Sequence, residues 1–476
     1  MDYLEKLNSY HDEMLQVLGE LVAFPSVKSD AVKTTEGELL PFGRNVHDAF
    51  EYTLKKGEEL GFETFNAENY GGHVEFKSED ENAGNFAIVG HLDVVPEGTG
   101  WDSEPYGMVQ KDGYVYGRGV SDDKGPMVAC LYAMKAIKEA GIVPHKNIKL
   151  VLGLDEETGF VSMDHYLEMA GQPDMGFTPD GEFPLINGEK GIMVFDLVRK
   201  FTRSTNKDGL RLTKLEAGLV SNAVPAGAKA VIAADENMYS LIKDRLAQYI
   251  METGYDVKAK KQGTSLVIEA NGVAAHGAMP QLGLNAISIM MDFLGRLQFE
   301  SDELNDFIEY YNEHIGFNVN GENCGCGLED EASGKLTFNA GIAAINEELA
   351  TLTINVRFPV SCTAEQVFEG IEKTLDGTQI GIIKKSVTNP IFMDESHPMV
   401  ETLMNVYRNV TGEADARPYV IGGGTYAKAV NNTLAFGALF PGEEDTMHQA
   451  NEKMSIESFY KMADIYAQAI YSICCE

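Results

Sequence analysis

Apolar positions recur at two different spacings along the chain, and the alternation between them divides the sequence into three parts. Near the start, Tyr3–Phe24 reads as an amphipathic helix. Strand patterns follow at Gly72–Lys77 and Asn85–Val95. The second, NFAIVGHLDVV, is a nearly continuous apolar run, as expected of a strand buried on both faces. Lys124–Ala140 predicts a helix, with Met127, Leu131, Met134 and Ile137 on one face and Gly141 as a C-terminal stop. Lys146–Glu157, KNIKLVLGLDEE, is another buried-strand pattern. Strand, helix and strand at this spacing make a βαβ unit, which implies a mostly parallel sheet flanked by helices.

The middle of the chain reads differently. Strand-like runs near Gly191–Lys200, Ala230–Ala234, Ser265–Ala270, Lys335–Ala340 and Thr351–Arg357 are separated by helices near Glu236–Glu252, Leu284–Gln298 and Thr363–Leu375. Two helix-plus-strand groups in succession suggest an α+β region of two similar subdomains, without a residue-level repeat. The last part returns to the alternation of the first, with a helix near Pro398–Val410, a Gly-rich turn at Ile421–Ala427, a strand near Thr433–Phe440 and a final helix at Ser455–Cys474. The expected fold class is therefore α/β. One such domain is expected from residues 1–187 and 386–476, with a large α+β region, 188–385, inserted in it.

Composition narrows the function. The 476 residues suffice for two or three domains. Lys plus Arg number 38 against 73 Asp plus Glu, a net charge of −35. Neutralising phosphates requires a basic face, so nucleic acid is not an expected partner, and an anionic membrane surface is equally disfavoured. The start of the chain has no secretory h-region, and no apolar stretch is long enough to span a bilayer. Six cysteines form no disulfide framework, and Cys324 and Cys326 are spaced too closely for the usual zinc motif. The expected compartment is the cytoplasm.

The candidate chemistry sits where strands run out, which is where ligand sites lie in open α/β sheets. GHLDVVP places His91 and Asp93 at one strand end, and GRGVSDDKGP places Asp122 and Asp123 before a helix. LGLDEETG brings Asp155, Glu156 and Glu157; FTPDGEFP brings Asp180; EEDTMHQANE brings His448. Two imidazoles and several carboxylates on one sheet edge suit divalent cations such as Zn²⁺ or Mn²⁺. The charges balance for two ions: four positive charges against Asp122, Glu157, Asp180 and a bridging hydroxide. Residues two apart in a strand share a face, so Asp93 is placed to hold the His91 ring.

These five motifs, in this order over essentially the whole chain, resemble the co-catalytic dinuclear metallopeptidase family that includes aminoacylase, carboxypeptidase G and succinyl-diaminopimelate desuccinylase. They are most similar to its PepV-type bacterial dipeptidases, on the large middle region together with LVSNAVPAGAKA, GVAAHGAMP, NVRFPV, IGGGTYA and DTMHQANE. The resemblance implies two divalent metals, Zn²⁺ first with Mn²⁺ or Co²⁺ as alternatives. His91 and His448 would bind one metal each, Asp122 would bridge, and Glu157 and Asp180 would complete the two sites. Glu156 would be the general base acting on a metal-bridging hydroxide, with Asp93 supporting His91. His276 would stabilise the oxyanion. Asn222 and Arg357, with the glycine-rich turn through Gly424 and Thr425, would bind the substrate carboxylate. Asp123 would adjoin an unusual peptide bond that aims Asp122. The implied activity is hydrolysis of small unblocked dipeptides. Because a duplicated lid could supply the oxyanion histidine in cis, a monomer is expected. The alternatives are an N-acyl-amino-acid deacylase or carboxypeptidase of the same family and, from another class, a peptide-binding protein without catalysis.

Overall fold

The computed structural model describes residues 2–202, 209–234 and 236–476. Two compact units result. One combines Met1–Gly188, Phe392–Tyr419 and Gly424–Glu476; the other consists of Glu189–Ile391 with Val420–Gly423. The inserted unit therefore runs slightly beyond residue 385, and it reclaims the first half of the glycine-rich turn.

The first unit is built on a mixed sheet. Six of its nine strands are, in spatial order, Thr433–Ala435, Met175–Thr178, Asn85–His91, Asn147–Gly153, Gly72–Phe76 and Glu63–Asn66. The first four run parallel. The last two are added antiparallel as a hairpin. The apolar run of Asn85–His91 is explained by cover on both faces. Phe86, Ile88, Leu150 and Leu152 join a large core with the helices Lys124–Glu139, Pro398–Thr411 and Ile456–Cys474. Ala87, Val89 and Val151 join a smaller one under Met163, Tyr166 and Tyr426. The parallel strands end together, so the segments after His91, Gly153 and Thr178 emerge at one edge.

Two expectations change in detail. The opening helix is two helices, Asp2–Ser9 and His11–Val22. Between them Tyr10 leaves helical geometry, with the Lys135 ammonium 3.9 Å from its ring centroid and its hydroxyl bonded to Glu139. The strand expected at Thr433–Phe440 ends at Ala435, after which the chain turns toward Glu443 and His448.

The inserted unit contains one continuous antiparallel sheet in place of two separate subdomains. Its order is Asp256–Gln262, Ser265–Asn271, Gly227–Ala233, Arg211–Ala217, Thr337–Asn346, Leu349–Phe358, Gly191–Lys200 and Gly381–Thr388. The suspected duplication survives as topology. Each half has a hairpin followed by a helix, Glu236–Thr253 or Ala364–Leu375, and the halves join edge to edge where Arg211–Ala217 pairs Thr337–Asn346. A single core lies beneath both halves, because that pairing leaves no gap for two. Sequence signals fix the helix ends. Thr363 and Gln366 form a reciprocal capping box, and Asn285 and Ser301 cap two further helices.

One buried titratable group makes the first unit sensitive to acid. His73, opposite Phe65 in the hairpin, is 6% exposed, and its Nδ1 lies 2.8 Å from the Tyr166 hydroxyl. Burial, reinforced by the Lys149 and Lys77 charges, lowers its pKa to about 3, although Glu75 lies 4.0 Å away. The unfolded chain therefore binds a proton below the ordinary value of about 6.5 that the folded chain refuses until about pH 3. Stability is lost as pH falls through that window, by at most about 1.4 kcal/mol per pH unit from this residue. Urea unfolding in chelator at pH 7.5 and pH 5 should show His73→Gln losing about 2 kcal/mol less than the wild type. Equal losses would remove His73 as a source of acid sensitivity.

Candidate metal centre

The sheet edge assembles the sequence-predicted residues of the first unit. His91 is the last residue of its strand. Glu156 and Glu157 open a single 3₁₀ turn, Glu156–Thr158, after Asn147–Gly153. Asp180 follows Met175–Thr178, and its N–H bonds the Thr178 hydroxyl at 3.3 Å. Asp122 precedes the helix Lys124–Glu139, and the Asp122–Asp123 peptide is cis, as the resemblance implied. Gly90 is where this packing needs a missing side chain, since a Cβ there would lie 2.2 Å from Asp123 Oδ2.

Asp122 is the shared element. Its Oδ1 lies 2.9 Å from His91 Nε2, and its Oδ2 lies 3.0 Å from His448 Nε2. Each imidazole meets a second carboxylate: Asp180 at 3.7 Å from His91, and Glu157 at 3.1 Å from His448. The result is two three-residue groups with Asp122 in common, His91–Asp122–Asp180 and Asp122–Glu157–His448, each with its ligand atoms within 4.8 Å of one another. His91 is fully buried, whereas the His448 side chain is 56% exposed and sits on left-handed backbone at φ 62°.

Asp93 lies beside the His91 ring, on the loop that follows the strand. The strand stops at His91, so the His91 Nδ1 bonds the Asp93 backbone carbonyl at 2.9 Å, with the Asp93 carboxylate at 3.5 Å. That carboxylate accepts the Glu156 and Glu157 N–H groups, each at 3.2 Å. Asp93 therefore joins the His91 loop to the turn that carries both glutamates, as a positioning residue.

The electrostatics call for cations. Burial favours a neutral His91, but the bonds to Asp122 and Asp93 and the Asp180 charge raise its pKa well above the ordinary value. His448 is raised to about 10 by Asp122 and then Glu157. Burial alone would raise Asp122, yet the two imidazolium partners pull it below the usual carboxylate range. Glu156 and Asp123 are pushed well up, first by burial and then by the Asp180 charge. Protons on two histidines thus hold together a cluster of carboxylates. A borderline dication can replace each of those protons, and the N and O donors fit such an ion.

The inserted unit gathers a second set. His276 pairs with Ala223 in a two-residue ladder, and Gly277 N donates to the Asn222 carbonyl at 2.6 Å. Arg357, 5% exposed, donates from Nε to Asn355 at 3.0 Å and from Nη1 to the Gly422 carbonyl at 3.0 Å. Burial lowers its pKa to about 10. Burial and the Arg357 charge lower that of His276. Gly424 and Thr425 belong to the first unit, where the Thr425 hydroxyl caps the turn Tyr426–Lys428 by accepting the Ala427 N–H at 3.1 Å.

Sequence reasoning missed Glu452, which it read only as the end of a motif. Glu452 is 1% exposed, and its carboxylate accepts the N–H groups of Gly119, Ser121 and Asp122 at 2.9–3.3 Å. Arg118 Nη1 completes the nest at 2.8 Å, under the Trp101 ring. Glu452 also closes the loop that begins at His448, so one carboxylate ties the bridging aspartate to the exposed histidine's loop.

The profile of Peptidase family M20/M25/M40 matches residues 87–472. A Staphylococcus epidermidis protein provisionally named a dipeptidase is 34% identical over 474 residues, 99% of both chains. Among solved structures, the aminoacylhistidine dipeptidase from Vibrio alginolyticus superimposes with a TM-score of 0.57 at 14% identity, covering 97% of this chain and 96% of that one. A di-peptidase from Saccharomyces cerevisiae gives 0.54 at 16% identity, covering 99% and 98%. These two likenesses establish the fold.

The Glu452 nest provides a test of the centre that is independent of turnover. Calorimetric titration of metal-stripped protein with Zn²⁺ or Mn²⁺ should show Glu452→Gln binding about 10- to 100-fold more weakly, as for other residues that orient ligands. Unchanged affinity would show that the nest does not govern Asp122.

Proposed function

The chain belongs to peptidase family M20/M25/M40, and from that membership we propose that it is a cytoplasmic dipeptidase that hydrolyses small unblocked dipeptides with two divalent metal ions. The observation that carries this reading is the pair of three-residue groups sharing Asp122, with Glu156 beside the Glu157 of one group. His91, Asp122 and Asp180 would hold one ion, and Asp122, Glu157 and His448 the other, Zn²⁺ first with Mn²⁺ or Co²⁺ as alternatives. Bound there, the ions would make a water more acidic and polarise the scissile carbonyl.

The remaining steps belong to the protein's own side chains. Glu156 takes a proton from the attacking water and delivers it to the leaving amine. Burial of Glu156 favours its protonated form between the two transfers. His276 Nδ1 accepts the Ala278 N–H at 3.3 Å, which leaves the hydrogen of the neutral ring on Nε2. A neutral donor of that kind can stabilise a developing oxyanion. Arg357 offers the outer end of a planar fork to the peptide's carboxylate, in a buried setting where that charge pair counts most. Asn222 and the Gly424–Thr425 turn are assigned to the same end of the substrate. The dipeptidase name of the 34% identical relative supports the substrate class. Six unpaired cysteines support a reducing compartment.

The edges of the inserted sheet support a monomer. Asp256–Gln262 exposes Lys258, Lys260 and Lys261, and Gly381–Thr388 exposes Lys384 and Lys385, a pattern that discourages edge-to-edge pairing. Light scattering during gel filtration should give the mass of one chain; an obligate dimer would refute this part.

Purified protein reloaded with Zn²⁺ or Mn²⁺ should cleave free dipeptides in preference to tripeptides and N-acyl amino acids. Glu156→Ala should lower kcat by about 100- to 10,000-fold while elemental analysis finds the metal content unchanged. A preference for N-acyl amino acids would overturn the dipeptidase assignment, and full turnover by Glu156→Ala would overturn the general base.

A further inference from the structure

Two buried asparagines face each other inside the inserted sheet. Asn339 and Asn355 are register partners, 1% and 2% exposed. Asparagine is disfavoured in strand interiors, and a buried amide is costly unless its hydrogen bonds are made. Their neighbours Phe338, Ala340, Ile354 and Val356 belong to the core on one face of the sheet. Alternation places Asn339 and Thr337 on the opposite face, with Asn355 and Arg357 beside them.

Each amide holds a residue assigned to substrate. Asn339 Nδ2 donates to the carbonyls of Ser221 and Ala223, both at 2.9 Å. Those carbonyls flank Asn222, whose own carbonyl is taken by Gly277 N at 2.6 Å. Ala223 in turn pairs with His276. One side chain thereby fixes the turn that carries Asn222 and, through a two-residue ladder, the segment that carries His276. The strand makes room for this approach: at Gly341 a Cβ would lie 2.3 Å from the Ser221 carbonyl oxygen. Asn355 does the corresponding work for Arg357, accepting its Nε at 3.0 Å while Gly422 accepts Nη1. The guanidinium plane is therefore set before any carboxylate arrives.

We propose that Asn339 and Asn355 are positioning residues that preset the groups of this unit assigned to substrate, Asn339 acting on the oxyanion through His276 and on the carboxylate through Asn222, and Asn355 acting on the carboxylate alone through Arg357. The inference rests on the dipeptidase reading, and it predicts a division that simple structural support does not. A group that acts on the oxyanion changes kcat, whereas one that orients a ground-state carboxylate contact changes KM.

The test uses the full-length, metal-loaded protein and one good dipeptide substrate. Asn339→Ala should lower kcat about 10- to 100-fold and also raise KM, because it frees both His276 and Asn222. Asn339→Asp should be worse, because a carboxylate would face two carbonyl oxygens. Asn355→Ala should raise KM about tenfold with kcat nearly unchanged. Metal content and melting temperature are measured for every variant. Wild-type turnover with all variants unaffected would overturn the inference alone. So would an Asn355→Ala variant that loses kcat as Asn339→Ala does, or effects that track the loss of melting temperature. A wild type that cleaves no dipeptide would overturn the reading on which the inference stands, and the inference with it.

Discussion

The structure of the first unit depends on one buried carboxylate that must satisfy two partners at once. Asp122 directs one oxygen to His91 and the other to His448, at 2.9 and 3.0 Å. Desolvating such a group is costly unless positive charge meets it from both sides. Each imidazole also touches a further acid, so the arrangement holds only while cationic charge lies between the carboxylates. The surrounding scaffold supplies rigidity through two further carboxylates. Asp93 fixes the glutamate turn through two backbone N–H groups, and Glu452 fixes the Asp122 backbone through three.

Much of this was legible because parallel strands read as apolar runs whose chemistry begins where the run stops. His91, Glu156, Glu157 and Asp180 all follow that rule, and the helix behind Asp122 carried a clean periodicity. Other parts left little trace. Asp256–Gln262 and Gly381–Thr388 are edge strands whose mostly exposed residues show no apolar alternation, so the single eight-stranded sheet could not be inferred from pattern. The break at Tyr10 comes from partners far along the chain, Lys135 and Glu139. Asp93 lies beside His91 although the strand ends two residues earlier, so its place owes nothing to strand parity. Glu452 and Asn339 act on backbone groups, and a backbone partner leaves no signature in a sequence.

The net charge of −35 takes on a different meaning beside these details. Asp93, Asp122, Glu156, Glu157 and Asp180 are five of 73 acidic residues, and the proposed cations would offset most of that cluster. The remainder is mainly solvated surface, which keeps the chain away from polyanions but says nothing about which peptide is bound. Function resides in the few charges withdrawn from water.

The same economy appears in the inserted unit, with amides in place of acids. A carboxylate beside Arg357 would neutralise the guanidinium and compete with an anionic substrate. Asn355 orients Nε without adding charge, so the outer end of the fork keeps its full attraction for a carboxylate. Asn339 likewise holds the Asn222 turn with a neutral donor, which leaves the field at His276 to Arg357 and helps keep that imidazole unprotonated. Acids in one unit gather cations, and amides in the other spare them. That contrast in polar chemistry follows from the opposite charges that the proposed reaction requires each unit to receive.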